Sequence, residues 1–360
     1  MQPRQPDTII RLDNKADLLP QIISEIGPDG VVVVCDTHTQ EFCLPHLLSH
    51  LGSYTPKVIS IEPGEQQKSL ETVTLLWEKF YDLNLSRKTL IILLGGGCLL
   101  DIGGFAASTF KRGLPCINVP TTILAAVDAA VGGKRGFNFK GTKNIIGSFY
   151  PSSYVALEPH FFRTLPETEK LSGWAEILKH ALLEQGRSSL IELLKEEQQP
   201  DTLSVQEWGD LIARSITTKQ RIVEEDPYEN GMRQMLNLGH TFGHALEAYI
   251  LHKNRKELPH GFAVAAGIVM ELYLSFRLLG FPQELLTKVC YYIRDTYPVV
   301  PFNCKVYDTL ISYMEQDKKN RGNVISAALL KDLGVYAYGT PLSPKQCKEA
   351  MDFYRDLYNT

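Results

Sequence analysis

From Val31 to Pro120, short apolar runs alternate with longer amphipathic stretches. Val31–Cys35, Lys57–Ile61, Thr89–Leu94 and Cys116–Val119 read as strands, each closed by a polar turn or, after Val119, by Pro120. Runs that are apolar at nearly every position belong to strands covered on both faces, as in a parallel sheet flanked by helices. From about Leu165 onward that signal fades, and helical stretches such as Trp174–Leu183 and Ala263–Leu279 take over. The pattern predicts an α/β N-terminal domain with a parallel sheet over residues 1–164. It predicts a mostly α-helical C-terminal domain over residues 165–360.

The chain has 360 residues, enough for two such domains with real cores. A net charge of −4 carries no nucleic-acid signature, so no nucleic-acid partner is expected. No apolar run reads as long enough for a membrane span, and the start Met1-Gln-Pro-Arg4 lacks the apolar core of a secretion signal. Seven scattered cysteines, odd in number and without Cys-x-x-Cys, favour reduced thiols over a disulfide framework. A cytoplasmic protein is expected.

Candidate chemistry concentrates in Arg233-Gln-Met-Leu-Asn237-Leu-Gly-His240-Thr241-Phe-Gly-His244. Three- and four-residue spacings put Asn237, His240, Thr241 and His244 on one helical face. Such a face is costly as core, because each buried imidazole needs a partner. A third histidine, His260, follows Pro259 where a turn meets the next helix, and Trp174-Ala-Glu176-Ile-Leu-Lys179 places a carboxylate and a lysine three apart. One glutamate and two histidines are a common set for a catalytic metal with an open position. On spacing alone, capped or surface histidines are an equal alternative.

The run Gly95-Gly96-Gly97 follows the third strand, with Asp101 beyond it. Glycines there let backbone N–H groups approach a pyrophosphate at a helix N-terminus. A tight strand-to-helix turn explains them equally well. Glu62-Pro-Gly64-Glu65-Gln-Gln-Lys68 is a second polar turn after a strand. Beyond Pro120 come Thr121, Thr122, Asp128, Gly132-Gly133-Lys134, Asn138 and Lys143-Asn144, with Lys111-Arg112 just before. Loop lysines flanked by glycine and asparagine suit the anchoring of phosphate or carboxylate.

Together these segments carry a resemblance. Gly95-Gly-Gly-x-x-x-Asp101, Arg112-Gly, Val119-Pro-Thr-Thr122, Val127-Asp128-x-x-Val-Gly-Gly-Lys134-x-Gly-x-Asn138 and Lys143-Asn144-x-Ile-Gly147 resemble the 3-dehydroquinate synthase family of sugar-phosphate cyclases. So do Ala175-Glu176-x-x-Lys179, Asn237-Leu-Gly-His240-Thr-Phe-Gly-His244, His260-Gly-x-Ala-Val264 and Asp317-Lys-Lys319. The resemblance implies an NAD-binding N-terminal domain and a helical domain holding a divalent metal, zinc or in its place cobalt. It implies conversion of 3-deoxy-D-arabino-heptulosonate 7-phosphate to 3-dehydroquinate and phosphate in the shikimate pathway of aromatic amino-acid biosynthesis. Glu176, His240 and His260 then resemble the metal ligands. Asp36, Glu65, Lys68, Gly96, Gly97, Asp101, Thr121, Thr122, Asp128, Lys134, Lys143 and Thr164 resemble NAD contacts. Lys134, Asn144, Lys179, Lys219, Arg233, Asn237 and His244 resemble substrate-site groups. Arg112 resembles an arginine that reaches a partner subunit's substrate phosphate, which implies a homodimer. The chain departs from the common pattern at Leu100, Ala129-Ala130 and Phe262, none of them a ligand or a catalytic lysine.

The chemistry so implied oxidises a carbinol with NAD, eliminates phosphate, returns the hydride and closes the ring by an aldol step, with no net redox. Lys134, Lys219, Asn144 and Arg112 would hold the phosphate, and Arg233 the carboxylate. His244, Asn237 and Lys179 would orient hydroxyls and relay protons. Three rivals stand beside this. They are another cyclase of the 2-epi-5-epi-valiolone synthase kind, a metal-dependent polyol or glycerol-phosphate dehydrogenase, and an inactive ligand-binding relative.

Overall fold

A computed structural model describes the chain except residues 1–6, 14, 16, 141, 196–199, 255–257, 317–323 and 360. The Asp317-Lys-Lys319 segment therefore lies outside the described residues. The chain divides into two compact units, Met1–Leu165 with Ser204–Ile216, and Pro166–Leu203 with Thr217–Thr360. The first half of the long helix Val205–Glu225 thus clusters with the α/β unit, which the sequence pattern does not suggest.

The first unit holds β1 (Thr8–Arg11), β2 (Val31–Asp36), β3 (Lys57–Ile61), β4 (Leu90–Gly95), β5 (Cys116–Pro120), β6 (Lys134–Phe139), β7 (Thr142–Phe149) and β8 (Tyr154–Leu157). Six form one parallel sheet in the order β1-β8-β5-β4-β2-β3. The central strands β4 and β5 are buried at every position, as expected of strands with helices over both faces. Asn118 is the polar exception, and it is satisfied: its Nδ2 donates to the Ala130 carbonyl at 2.8 Å and its Oδ1 accepts from Arg135 at 3.2 Å. Lys134, Lys143 and Asn144, expected in loops, lie instead on the antiparallel pair β6–β7. The glycines explain it. Gly136 lies so close to β7 that an added Cβ would come within 2.5 Å of the Ile146 carbonyl, so the two backbones meet where the sequence offers few side chains to signal a strand.

In the second unit the helix His260–Leu279 is central. It packs against Glu167–Leu183, His240–Asn254, Gln283–Thr296 and Pro344–Tyr358. It also packs on β9 (Ile325–Asp332), which pairs with β10 (Val335–Leu342) as an antiparallel hairpin. A helix surrounded on every side is apolar all round. This corrects the expectation that no apolar run approaches a span: His260–Leu279 has the length and composition for one, yet 72% of its most apolar stretch is buried inside the protein. All seven cysteines are free thiols.

Candidate active site

Three segments of the second unit deliver the candidate metal set. Glu176 lies midway along Glu167–Leu183 and is fully buried, while His240 and His260 each open a helix. Two glycines let these segments meet backbone to backbone. A Cβ on Gly261 would overlap the Ser172 backbone, and one on Gly267 would overlap the Gly239 carbonyl. The Nε2 atoms of His240 and His260 each lie 3.6 Å from Glu176 Oε1, and the three donors all fall within 4.8 Å of one another. Bonds of about 2.0–2.2 Å to one tetrahedral ion need donors about 3.3–3.6 Å apart, so both histidine–glutamate separations already suit one ion.

The outer nitrogens fix the tautomers. His240 Nδ1 is 3.1 Å from the Leu238 carbonyl, which can only accept, so Nδ1 carries the hydrogen and Nε2 offers its lone pair. His260 Nδ1 faces Glu247 Oε1 at 3.4 Å, a carboxylate–histidine pairing typical of metal ligands. Burial would lower the His260 imidazole, but Glu176 and Glu247 raise it to about 10. Its side chain is still 27% exposed, so burial opposes the charge less than the carboxylates favour it. Glu176 and Glu247 bring negative charge to both sides of the His260 ring, and the donor set fits a divalent metal.

Of the expected substrate groups of this unit, Lys179 and His244 lie beside the three donors. Lys179 forms an ion pair with Glu176 and donates to the Leu236 carbonyl at 2.8 Å. The His244 ring centroid lies 5.2 Å from that of His240 and 6.3 Å from that of His260. Asn237 donates to Glu229 Oε1 at 3.1 Å. Lys219 is buried. Arg233 is buried as well and donates from Nη1 to the Pro227 carbonyl at 2.5 Å. One expectation fails locally. Asn237 does not share a helix with His240, because Met232–Asn237 is a 3-10 turn and Gly239, at φ 82°, separates it from His240–Asn254.

Two residues escaped the sequence reading. Glu271, fully buried, accepts the Gly239 N–H at 2.6 Å and the Thr241 N–H at 3.0 Å, tying down the turn that presents His240. Its signal was a lone carboxylate in the apolar run Phe262–Leu274. Glu247, three positions after His244, had only its helical spacing to mark it.

In the first unit, Asp36, Glu65, Lys68, Gly96, Gly97, Thr121 and Thr122 of the expected dinucleotide residues follow the C-terminal ends of parallel strands, where open α/β sheets bind ligands. Gly95 ends β4, Gly96 precedes the helix Gly97–Thr109, and no side chain caps that helix. Thr122 lies beside Gly96, 3.5 Å from where a Cβ would sit, and Thr121 is buried after β5. Lys68 and Asp101 form an ion pair at 2.7 Å. Burial would lower the Lys68 ammonium, but Asp101 and Glu65 outweigh it and raise it. Burial pushes the Asp101 carboxyl up, with Lys68 and Arg135 pulling it down and Asp128 adding to the rise. Glu65 Oε1 accepts from Asn138 at 3.1 Å, and Asn138 Oδ1 accepts the Asn144 N–H at 2.9 Å. Asp36 caps Thr37–Phe42, accepting the Thr39 N–H at 2.8 Å. Lys134, Lys143 and Asn144 are exposed on the β6–β7 hairpin. Thr164 is exposed in the turn Pro159–Thr164 after β8, and Arg112 is exposed at φ 66° in the turn Phe110–Arg112.

Family models for the 3-dehydroquinate synthase N-terminal and C-terminal domains match residues 58–172 and 173–320. A 3-dehydroquinate synthase of Parabacteroides distasonis is 42% identical over 97% of the chain and 98% of that relative. Among solved structures, 2-deoxy-scyllo-inosose synthase with carbaglucose-6-phosphate, NAD+ and Co2+ aligns at a TM-score of 0.80 and 24% identity, covering 92% of this chain and 94% of that one. A 2-epi-5-epi-valiolone synthase from Streptomyces hygroscopicus with NAD+ and Zn2+ bound aligns at 0.81 and 22%, covering 97% of each. At these identities the two structures show a shared fold.

Proposed function

The chain belongs to the 3-dehydroquinate synthase family, and from that premise we propose that it converts 3-deoxy-D-arabino-heptulosonate 7-phosphate to 3-dehydroquinate and phosphate. The observation that carries the reading is the convergence of Glu176, His240 and His260, with the Nε2 atoms of both histidines turned toward the glutamate. NAD, when bound, would supply a reversible hydride acceptor, and a divalent metal, zinc or cobalt, a Lewis acid for the substrate hydroxyls.

The remaining roles fall to the chain's own side chains. Gly96 and Gly97 offer backbone N–H groups to a pyrophosphate at an uncapped helix end. Lys68, Asp101, Glu65, Asp36, Thr121, Thr122, Asp128, Lys134, Lys143 and Thr164 are assigned to the rest of the dinucleotide. Lys134, Asn144, Lys219 and Arg112 are assigned to the substrate phosphate, which leaves with the bonding electrons and itself accepts the proton lost from the adjacent carbon. Arg233 is assigned to the carboxylate in a two-point pairing. Lys179, Asn237 and His244 would orient hydroxyls and move protons during ring closure. The role given to Arg112 implies a homodimer, and the free thiols suit a cytoplasmic enzyme.

The test is phosphate release from the heptulosonate phosphate, with and without NAD and a chelator. Release should need NAD, stop with chelator and return with Zn2+ or Co2+. Brisk turnover of sedoheptulose 7-phosphate would instead favour a cyclase for a substrate without a carboxylate. Net NADH accumulation with an alcohol would favour a dehydrogenase.

A further inference from the structure

The first unit contains a second cluster with the same donor types as the metal centre of the second. His46 and His50 stand one turn apart on the short helix Leu44–Ser49 and its C-cap, so both rings leave the same face. Both point at Glu158, the residue after β8, whose side chain is only 4% exposed. His46 Nε2 lies 3.3 Å from Glu158 Oε2, and His50 Nε2 lies 3.8 Å from the same oxygen. The three donors fall within 4.8 Å of one another, the same limit met by Glu176, His240 and His260.

Three details distinguish this cluster from a casual meeting of side chains. His50 Nδ1 is 3.0 Å from the His46 carbonyl, which can only accept, so the hydrogen sits on Nδ1 and the Nε2 lone pair faces Glu158. Glu158 Oε1 is spent on the His160 N–H at 3.1 Å, which fixes the carboxylate and leaves Oε2 for the histidines. His46 Nε2 is buried yet makes no hydrogen bond, since its approach to Glu158 is off the bonding direction. Its ring is clamped, stacked on His160 at 4.8 Å and 9° and met edge-on by Phe161 at 5.5 Å. A buried nitrogen with no hydrogen bond is costly, and an ion among the three donors removes that cost.

We propose that His46, His50 and Glu158 bind a second divalent transition-metal ion of the zinc class. Two imidazoles and a carboxylate are borderline ligands, suited to zinc and poorly suited to calcium or magnesium. Glu158, 4% exposed, and the buried His46 Nε2 keep the donors away from bulk water. This site has no part in the reaction. It clips the helix Leu44–Ser49 to the turn that follows β8.

The test uses the untagged full chain, stripped with chelator and titrated with Zn2+ against a chromophoric chelator. The native chain should take up two equivalents. The variant His240→Ala/His260→Ala, with the first site disabled, should retain one, and Zn2+ should still raise its melting temperature. Adding Glu158→Gln or His50→Ala to it should abolish both the uptake and the thermal shift. Circular dichroism and NAD binding check that Glu158→Gln alone is folded, and it should take up one equivalent. A native stoichiometry of one, or no uptake and no thermal shift in His240→Ala/His260→Ala, overturns the proposal. That second arm leaves His46, His50 and Glu158 intact, so it decides the matter even if their variants fold poorly.

Discussion

Glu247 Oε1 stands 3.4 Å from His260 Nδ1, on the side of the ring turned away from Glu176. It therefore orients a candidate metal ligand from the side away from the other two donors. Glu247→Ala should weaken Zn2+ binding at that site by about 10–100-fold, the usual effect of losing such a carboxylate. Competition with a chromophoric chelator measures it, and Glu247→Gln should recover part of the loss. Unchanged affinity in Glu247→Ala would mean that His260 is oriented by packing alone.

Glu271 predicts a local rather than a global effect. Its carboxylate receives the Gly239 and Thr241 amides, and hydrogen bonds to a charged group contribute about 1.5–3 kcal/mol each. Glu271→Gln keeps the shape and one acceptor oxygen. Hydrogen exchange at the Gly239 and Thr241 amides should then quicken by about tenfold or more, since each 1.4 kcal/mol of local opening corresponds to about a factor of ten. Metal affinity should fall with it. Full protection at both amides in that variant would refute the role.

Asp226 gives a pH dependence. Burial would raise its carboxyl, but the N–H groups of Gly231, Asn230 and Arg233 and the Arg233 charge outweigh that and hold it below the ordinary aspartate range. A depressed folded-state value contributes stability that is present above the unfolded value, about 3.9, and is lost as pH falls through the folded one. Wild type should therefore be more stable than Asp226→Asn at pH 6–7, with the gap closing below about pH 4. Urea midpoints across that range would show it, and a gap independent of pH would remove Asp226 as the titrating group.

Arg233 tests the substrate class. Its buried guanidinium gives one donor to the Pro227 carbonyl, which fixes the plane in which its fork would meet a carboxylate. Arg233→Lys keeps a charge but loses the planar fork. Turnover of the heptulosonate phosphate should drop by about tenfold or more, given the typical contribution of a charge-assisted bond. Turnover of an analogue without the carboxylate should change far less. Equal losses on both would sink the assignment.

Much of this was legible in the sequence, for reasons that differ from element to element. β2 and β4 announced themselves because a strand buried on both faces must be apolar at almost every position. β9 stayed hidden because Ile325-Ser-Ala-Ala-Leu-Leu330 is as helix-compatible as it is strand-compatible, and only pairing with β10 decides it. β1 and β8 are four residues each and gain their identity from each other across the chain. Glu176, His240 and His260 were visible as residue types, and the resemblance joined them. Their meeting within one unit needed the fold. Glu158 could not have been singled out at all, because nothing in its own neighbourhood points more than a hundred positions back to His46.

The backbone contacts at Gly261 and Gly267 fix the spacing of the candidate metal ligands from the residues beside them, Gly261 following His260 and Gly267 meeting Gly239 before His240. One methyl group at either position would force two segments apart and carry His260 or His240 away from Glu176. The bite of the site is thus set by residues with no side chain, before any ion arrives. An effort to change which metal this protein prefers should begin with the crossings at 261 and 267, because the three donors only fill a gap whose width is decided there.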